Sequence, residues 1–186
     1  MTVEVRVDPG RAYTVEEFMA LPDDGRRYEL VGGRLEPMTP TSGEHGIIAA
    51  RLHVELGYHV RTNGLGDTYI AEAAFVIDPS GDVRAPDIGF VTAARAVPAG
   101  RGPIPIPPDL TVEVISPSDV LVKVAAKVQA YLEAGVRLIW AVDPRNRTVR
   151  VYRQGMDGYA TLSASDHLDG EDVVPGFSLP IASLFM

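Results

Sequence analysis

The stretch Pro108–Pro144, PDLTVEVISPSDVLVKVAAKVQAYLEAGVRLIWAVDP, sets the reading of the whole chain. Leu110–Ile115 is an apolar run of strand length, broken by Ser116-Pro117. Ser118 is placed to cap a helix whose apolar stripe runs Leu121, Val124, Val128 and Leu132, and Gly135 supplies its stop. Arg137–Val142, which carries the only tryptophan, Trp140, is a second apolar strand. Strand, helix, strand predicts a crossover unit whose two strands are parallel and central in a sheet. Glu113 stands inside the first strand between Val112 and Val114. A carboxylate buried in a strand costs several kcal/mol unless something pairs with it, and a metal ion is one such partner. The plainer alternative leaves Glu113 on the solvent face of an edge strand. Lys127 lies on the following helix, with Lys123 one turn earlier and Tyr131 one turn later, so the three share a face.

Working outward, Thr14-Val-Glu-Glu17 is a capping-box pattern that starts a short helix. Tyr28–Val31, Gly32-Gly33 and Arg34–Glu36 predict an N-terminal β-hairpin, because two glycines tolerate the positive φ angles of a type I′ turn. Ile47, Ile48, Leu52, Leu56 and Val60 recur at helical spacing over 44–60. A strand is expected over 67–77, and another around Pro86-Asp-Ile-Gly-Phe-Val91 with an acid at its head. The proline-rich run 96–108 reads as a surface loop. Thr148–Arg153 alternates apolar and polar residues as a half-exposed antiparallel strand does, and edge strands are expected at 159–162 and 173–179, with a short helix at the end. The 186 residues fit one domain, 1–186, of globular composition.

The totals narrow the function classes. No apolar run approaches the ~20 residues of a membrane span, and the first residues lack a signal-peptide core, so no membrane partner and a cytoplasmic location are expected. The absence of cysteine excludes disulfides, thiolate zinc sites and a cysteine nucleophile. The net charge of −8 weighs mildly against a nucleic-acid partner. Over 119–153, however, seven cations against three anions leave +4, and so −12 for the rest of the chain. His45, His53, His59 and His167 lack zinc-protease spacing, and His45 is at most a support for a ligand.

Asp87 and Glu113 are the acids that context singles out. If their strands are neighbours, the two carboxylates converge at one end of the sheet. Hard oxygen ligands of that kind suit Mg²⁺ or Mn²⁺. In the alternative, Asp87 caps a turn. A lysine beside such a pair can orient a nucleophile or offset charge developing on a phosphate.

Five blocks, in order, carry a wider likeness. They are Tyr28-Glu-Leu-Val-Gly-Gly-Arg-Leu35, Met38 to His45, Pro86-Asp-Ile-Gly-Phe-Val91, Pro108-Asp-Leu-Thr-Val-Glu-Val-Ile-Ser-Pro-Ser118, and Lys127-x-x-x-Tyr131-x-x-x-Gly135-Val136 running into Trp140-x-Val-Asp143-Pro144. Together they resemble the Uma2 family of restriction-endonuclease-like proteins, a branch of the PD-(D/E)xK nuclease superfamily. The resemblance implies an α/β fold, a central mixed sheet flanked by helices. It also implies a divalent-metal site held by Asp87, Glu113 and the backbone carbonyl of Val114, with Glu29 as the N-terminal acid. The superfamily's lysine two residues after the second acid is replaced by Ile115, so the resemblance assigns its role to Lys127. Lys123 stands where many relatives carry an acid. The function so implied is Mg²⁺-dependent hydrolysis of DNA. A homodimer is expected separately, because symmetric dimers are common and cutting two strands would favour one. The alternatives are a nuclease fold kept for binding or assembly, and a metal-dependent hydrolase of a small phosphate ester.

Overall fold

The computed structural model describes residues 8, 10–22, 25–78, 81–98, 100, 102–116 and 121–186; Ser118, the expected helix cap, lies outside them. Helix α1 (Val15–Met19) opens with a complete capping box: the Glu17 N–H donates to Thr14 Oγ1, and the Thr14 N–H donates to Glu17 Oε2. A hairpin of β1 (Tyr28–Val31) and β2 (Arg34–Pro37) follows. Its turn glycines, Gly32 and Gly33, have φ of 54° and 74°, as a type I′ turn requires. Helix α2 (Gly43–Thr62) is capped by Ser42, whose hydroxyl accepts the His45 N–H. It buries Ile48, Leu52, Leu56 and Val60.

The strand expected over 67–77 is two strands in different sheets: β3 (Gly66–Ile70) and β4 (Phe75–Val76). Between them the chain turns, with the Ala73 N–H donating to the Ile70 carbonyl. The alanine-rich stretch there offers few of the branched side chains that hold a strand straight. Next come β5 (Val83–Arg84), β6 (Ile88–Thr92), β7 (Leu110–Val114), α3 (Leu121–Glu133), β8 (Leu138–Asp143) and β9 (Thr148–Arg153). The chain closes with β10 (Ala160–Leu162), β11 (His167–Asp169), β12 (Ser178–Pro180) and a 3-10 turn, Ile181–Phe185. Of the edge strand expected over 173–179, only its end pairs. β12 forms a separate ribbon with β11, and the chain before it turns through Pro175 and Gly176, the latter at φ 77°.

The main sheet is mixed and ordered β10-β9-β8-β7-β6-β3, with β7 and β8 parallel as the crossover predicted and all other pairs antiparallel. Alternation along its strands sorts side chains onto two faces. Ile88, Phe90, Leu110, Val112, Val114, Leu138 and Trp140 share one core with α2 and the C-terminal segment. Val91 and Ile139, which point the other way, share a second with Phe75 and with Val128 and Tyr131 of α3. Glu113 has the parity of this second face. The hairpin joins β5 and β4 in a smaller sheet, β2-β1-β5-β4, which brings β1 up to that side.

Phe75 ties the two sheets together. It is fully buried, pairs with Arg84 in the small sheet, and lays its ring against the backbone of Gly89 in β6. A Cβ at Gly89 would lie 2.7 Å from two atoms of that ring. The Gly89→Ala protein is therefore expected to lose about 1–3 kcal/mol through overpacking, read as a fall of several degrees in thermal midpoint. An unchanged midpoint would contradict this account of how the sheets meet.

Candidate active site

β6 and β7 pair with Ile88 opposite Val112 and Gly89 opposite Thr111. Continuing that register by one residue places Asp87 opposite Glu113, at the end of the sheet where the β6–β7 ladder stops. Asp87 Oδ2 accepts the Val114 N–H at 2.7 Å, a donor that a longer β6 would have taken. His45, buried at the start of α2, donates from Nε2 to the same oxygen at 3.0 Å. An extended residue sends its N–H and C=O to the same edge, so the Val114 carbonyl also faces the side on which Asp87 stands.

Glu113 is held from α3. Tyr131 Oη donates to Oε1 at 2.9 Å, and Lys127 Nζ lies 2.9 Å from Oε1 and 3.1 Å from Oε2. Lys127 and Tyr131 are four residues apart and so present both groups to one place. The same ammonium is 3.1 Å from Oε1 of Glu29 on β1. Glu29 in turn accepts the Ala85 N–H at 2.9 Å and faces Arg84 Nη1 at 3.3 Å. Glu29, Asp87, Glu113 and Lys127 are thus brought to one recess, their side chains only 11%, 14%, 13% and 22% exposed. Ile115, where the superfamily lysine would stand, is buried, and Lys123 is exposed.

Burial drives the electrostatics. It pushes the Glu113 carboxyl up to about 7; Lys127 opposes the rise, while Asp87 and Glu29 add to it. For Glu29 burial is again the largest influence and raises the pKa. Lys127, the Ala85 N–H and Arg84 together outweigh it, and the group ends below its ordinary value. Burial disfavours the Lys127 charge, but Glu113 and Glu29 more than offset that and hold it above the usual lysine range. Tyr131, buried beside Glu113, is raised well above an ordinary tyrosine and stays a hydrogen-bond donor.

Arg84 is the residue that sequence reasoning missed. Its signal was of the same kind as that of Glu113, a charge between Val83 and Ala85 in a run destined for burial. It is 8% exposed, reaches Asp82 at 3.7 Å as well as Glu29, and leaves Nε buried without a partner. Among the described residues no three or more His, Asp or Glu side chains form a cage for a metal ion. The donors do fit the looser binding that Mg²⁺ and Mn²⁺ use, one or two carboxylates with water completing the set. A Glu113 carboxyl pushed up by burial and by two other acids is a charge that a divalent ion would relieve.

Comparison with known proteins gives the same architecture. The Uma2 family model, described as "Putative restriction endonuclease", matches residues 15–182. No curated protein matches the sequence. A crystal structure described as a "putative nuclease belonging to DUF820", from Anabaena variabilis, shares the fold at TM-score 0.80, covering 92% of this chain and 97% of that one. At 22% identity that likeness speaks to the fold alone.

A carboxyl raised on folding binds its proton more tightly in the folded state. Glu113 therefore favours folding below its unfolded value of 4.5, and that contribution fades as pH rises through about 7. In metal-free protein, the unfolding free energy of wild type relative to Glu113→Gln is expected to fall by up to about 3 kcal/mol between pH 5 and pH 8. A difference independent of pH would contradict the assignment.

Proposed function

This chain belongs to the Uma2 family, and from that premise we propose that it is a metal-dependent nuclease hydrolysing phosphodiester bonds of DNA at the Asp87–Glu113 recess. The observation that carries the reading is the register that sets these two acids opposite each other, with Lys127 delivered to them from α3. Asp87, Glu113 and the Val114 carbonyl would hold Mg²⁺ or Mn²⁺. Such an ion, when bound, supplies Lewis acidity, polarising a phosphoryl oxygen and acidifying water.

The chain's own groups divide the remaining work. Lys127 is gripped by two carboxylates that stabilise its charge, so it serves as a fixed cation and not as a base. A buried cation so placed stabilises negative charge developing on a phosphate and orients a water by hydrogen bonding. Glu29, kept ionised by Lys127, the Ala85 N–H and Arg84, sets where that ammonium sits. Tyr131 fixes the rotamer of Glu113 through its hydroxyl. His45 does the same for Asp87.

A second reading, a nuclease fold kept for binding, has its own support. Both oxygens of Glu113 are already engaged by Lys127 and Tyr131, which is how a site closed by a salt bridge would look. Purified protein incubated with plasmid and linear DNA in Mg²⁺ or Mn²⁺ separates the two. The nuclease reading expects cleavage that falls at least about a hundredfold in Asp87→Ala and in Lys127→Ala. Cleavage unchanged in Asp87→Ala would end this assignment, and metal-independent binding without cleavage would favour the second reading.

A further inference from the structure

Two adjoining hollows open on the surface, and the first of them reaches Asp87. The first, about 960 Å³, runs from Asp87 and His45 along α2, past Ala50 and His53, to Arg27. The second, about 590 Å³, shares Arg27, Met38 and Glu72 with the first and continues between Phe18, Tyr28 and Tyr69. Each is of the size that takes one drug-sized unit, about 300–1,000 Å³. Beyond Asp87 and His45, the chemistry above uses neither of them.

We propose that the two hollows form one groove for a single strand of nucleic acid, with phosphates at the arginine waist, bases against Tyr28 and Tyr69, and the reacting phosphate at Asp87. The inference rests on the nuclease reading for what happens at Asp87, and it adds the substrate class.

Three observations favour a single strand over a duplex. The acids are recessed, between 11% and 14% exposed. A duplex is stiff over about 150 base pairs and carries its phosphates on the outside of the rod, so lowering one into a recess requires deforming it. A single strand bends in freely. Charge points the same way. Duplex binding depends on neutralising many phosphates, whereas this chain carries −8 overall and the arginines at the groove are Arg26 and Arg27.

The walls match bases. Single-strand sites combine cations along the backbone with aromatic rings on which bases stack. Tyr69 is oriented by edge-to-face packing on Phe75, with ring centroids 5.4 Å apart. Arg27 is anchored at the waist by donating from Nη2 to the Ala71 carbonyl at 3.0 Å. Its contact with Glu72, 3.1 Å, is a surface ion pair with both partners exposed, worth little and readily exchanged for a phosphate. Ala50, exposed on α2, leaves the channel between that waist and Asp87 open.

Fluorescence anisotropy in Ca²⁺ tests this, comparing a short labelled oligothymidine with the duplex it forms with its complement. The single strand is expected to bind at least about tenfold more tightly. Tyr69→Ala, which removes a stacking face, and Ala50→Trp, which fills the channel from an exposed position without touching the core, should each weaken it about tenfold. Should Tyr69→Ala lower the thermal midpoint sharply, Ala50→Trp decides alone. Equal affinity for the duplex, or affinity unmoved by the blocking substitution, overturns the groove. Tight single-strand binding with no cleavage in Mg²⁺ supports the groove and overturns the nuclease reading. Plasmid cleavage without single-strand binding does the reverse.

Discussion

Three parts of the molecule meet at one ammonium group. Lys127 Nζ, carried by α3, lies within 3.1 Å of Glu29 from the hairpin sheet and of Glu113 from the main sheet. Each acid alone would be an uncompensated charge in a recess, and breaking a buried pair by removing one partner typically costs about 3–5 kcal/mol. The cation therefore fixes how the hairpin, the sheet and the helix stand relative to one another around the site. Replacing such a cluster by apolar side chains of similar volume is often neutral or even stabilising. A fold that carries it bears a cost that packing alone does not explain, and the chemistry proposed for Asp87 and Glu113 would supply the explanation.

The supporting architecture follows from parity. Val112 and Val114 face α2 and the C-terminal segment, so the residue between them must face α3. β6 begins at Ile88, two residues short of the position opposite Val114 that would cover the Val114 N–H, and Asp87 fills the vacancy with a carboxylate oxygen. Gly89 then admits the Phe75 ring, which draws the small sheet close enough for Glu29 to reach Lys127. Ladder end, glycine and ring are thus one arrangement, and none of the three has an obvious reason to exist without the other two.

Much of this was legible in the sequence because it consists of exceptions to a pattern. An acid in the apolar run 110–115 contradicts the strand's own periodicity, and a lysine and a tyrosine four residues apart on the next helix are bound to present together. The parallel pairing of β7 and β8 followed from the helix between them. What stayed hidden depends on distance along the chain or on weak local preference. Arg84 finds Glu29 across 55 positions. The split between β3 and β4 occurs where alanines favour neither a strand nor a turn. The ribbon of β11 and β12 needed knowledge that Pro175 and Gly176 divert the chain before it can reach the main sheet.

A crystal soaked in Mn²⁺ and measured for anomalous scattering puts the central claim to its most direct test. The account predicts a single strong peak between the Asp87 and Glu113 carboxylates, with the Val114 carbonyl facing it and Lys127 still held by Glu29. No peak there, with Lys127 bridging Glu29 and Glu113 unchanged, would contradict it and leave the cluster as a buried salt bridge.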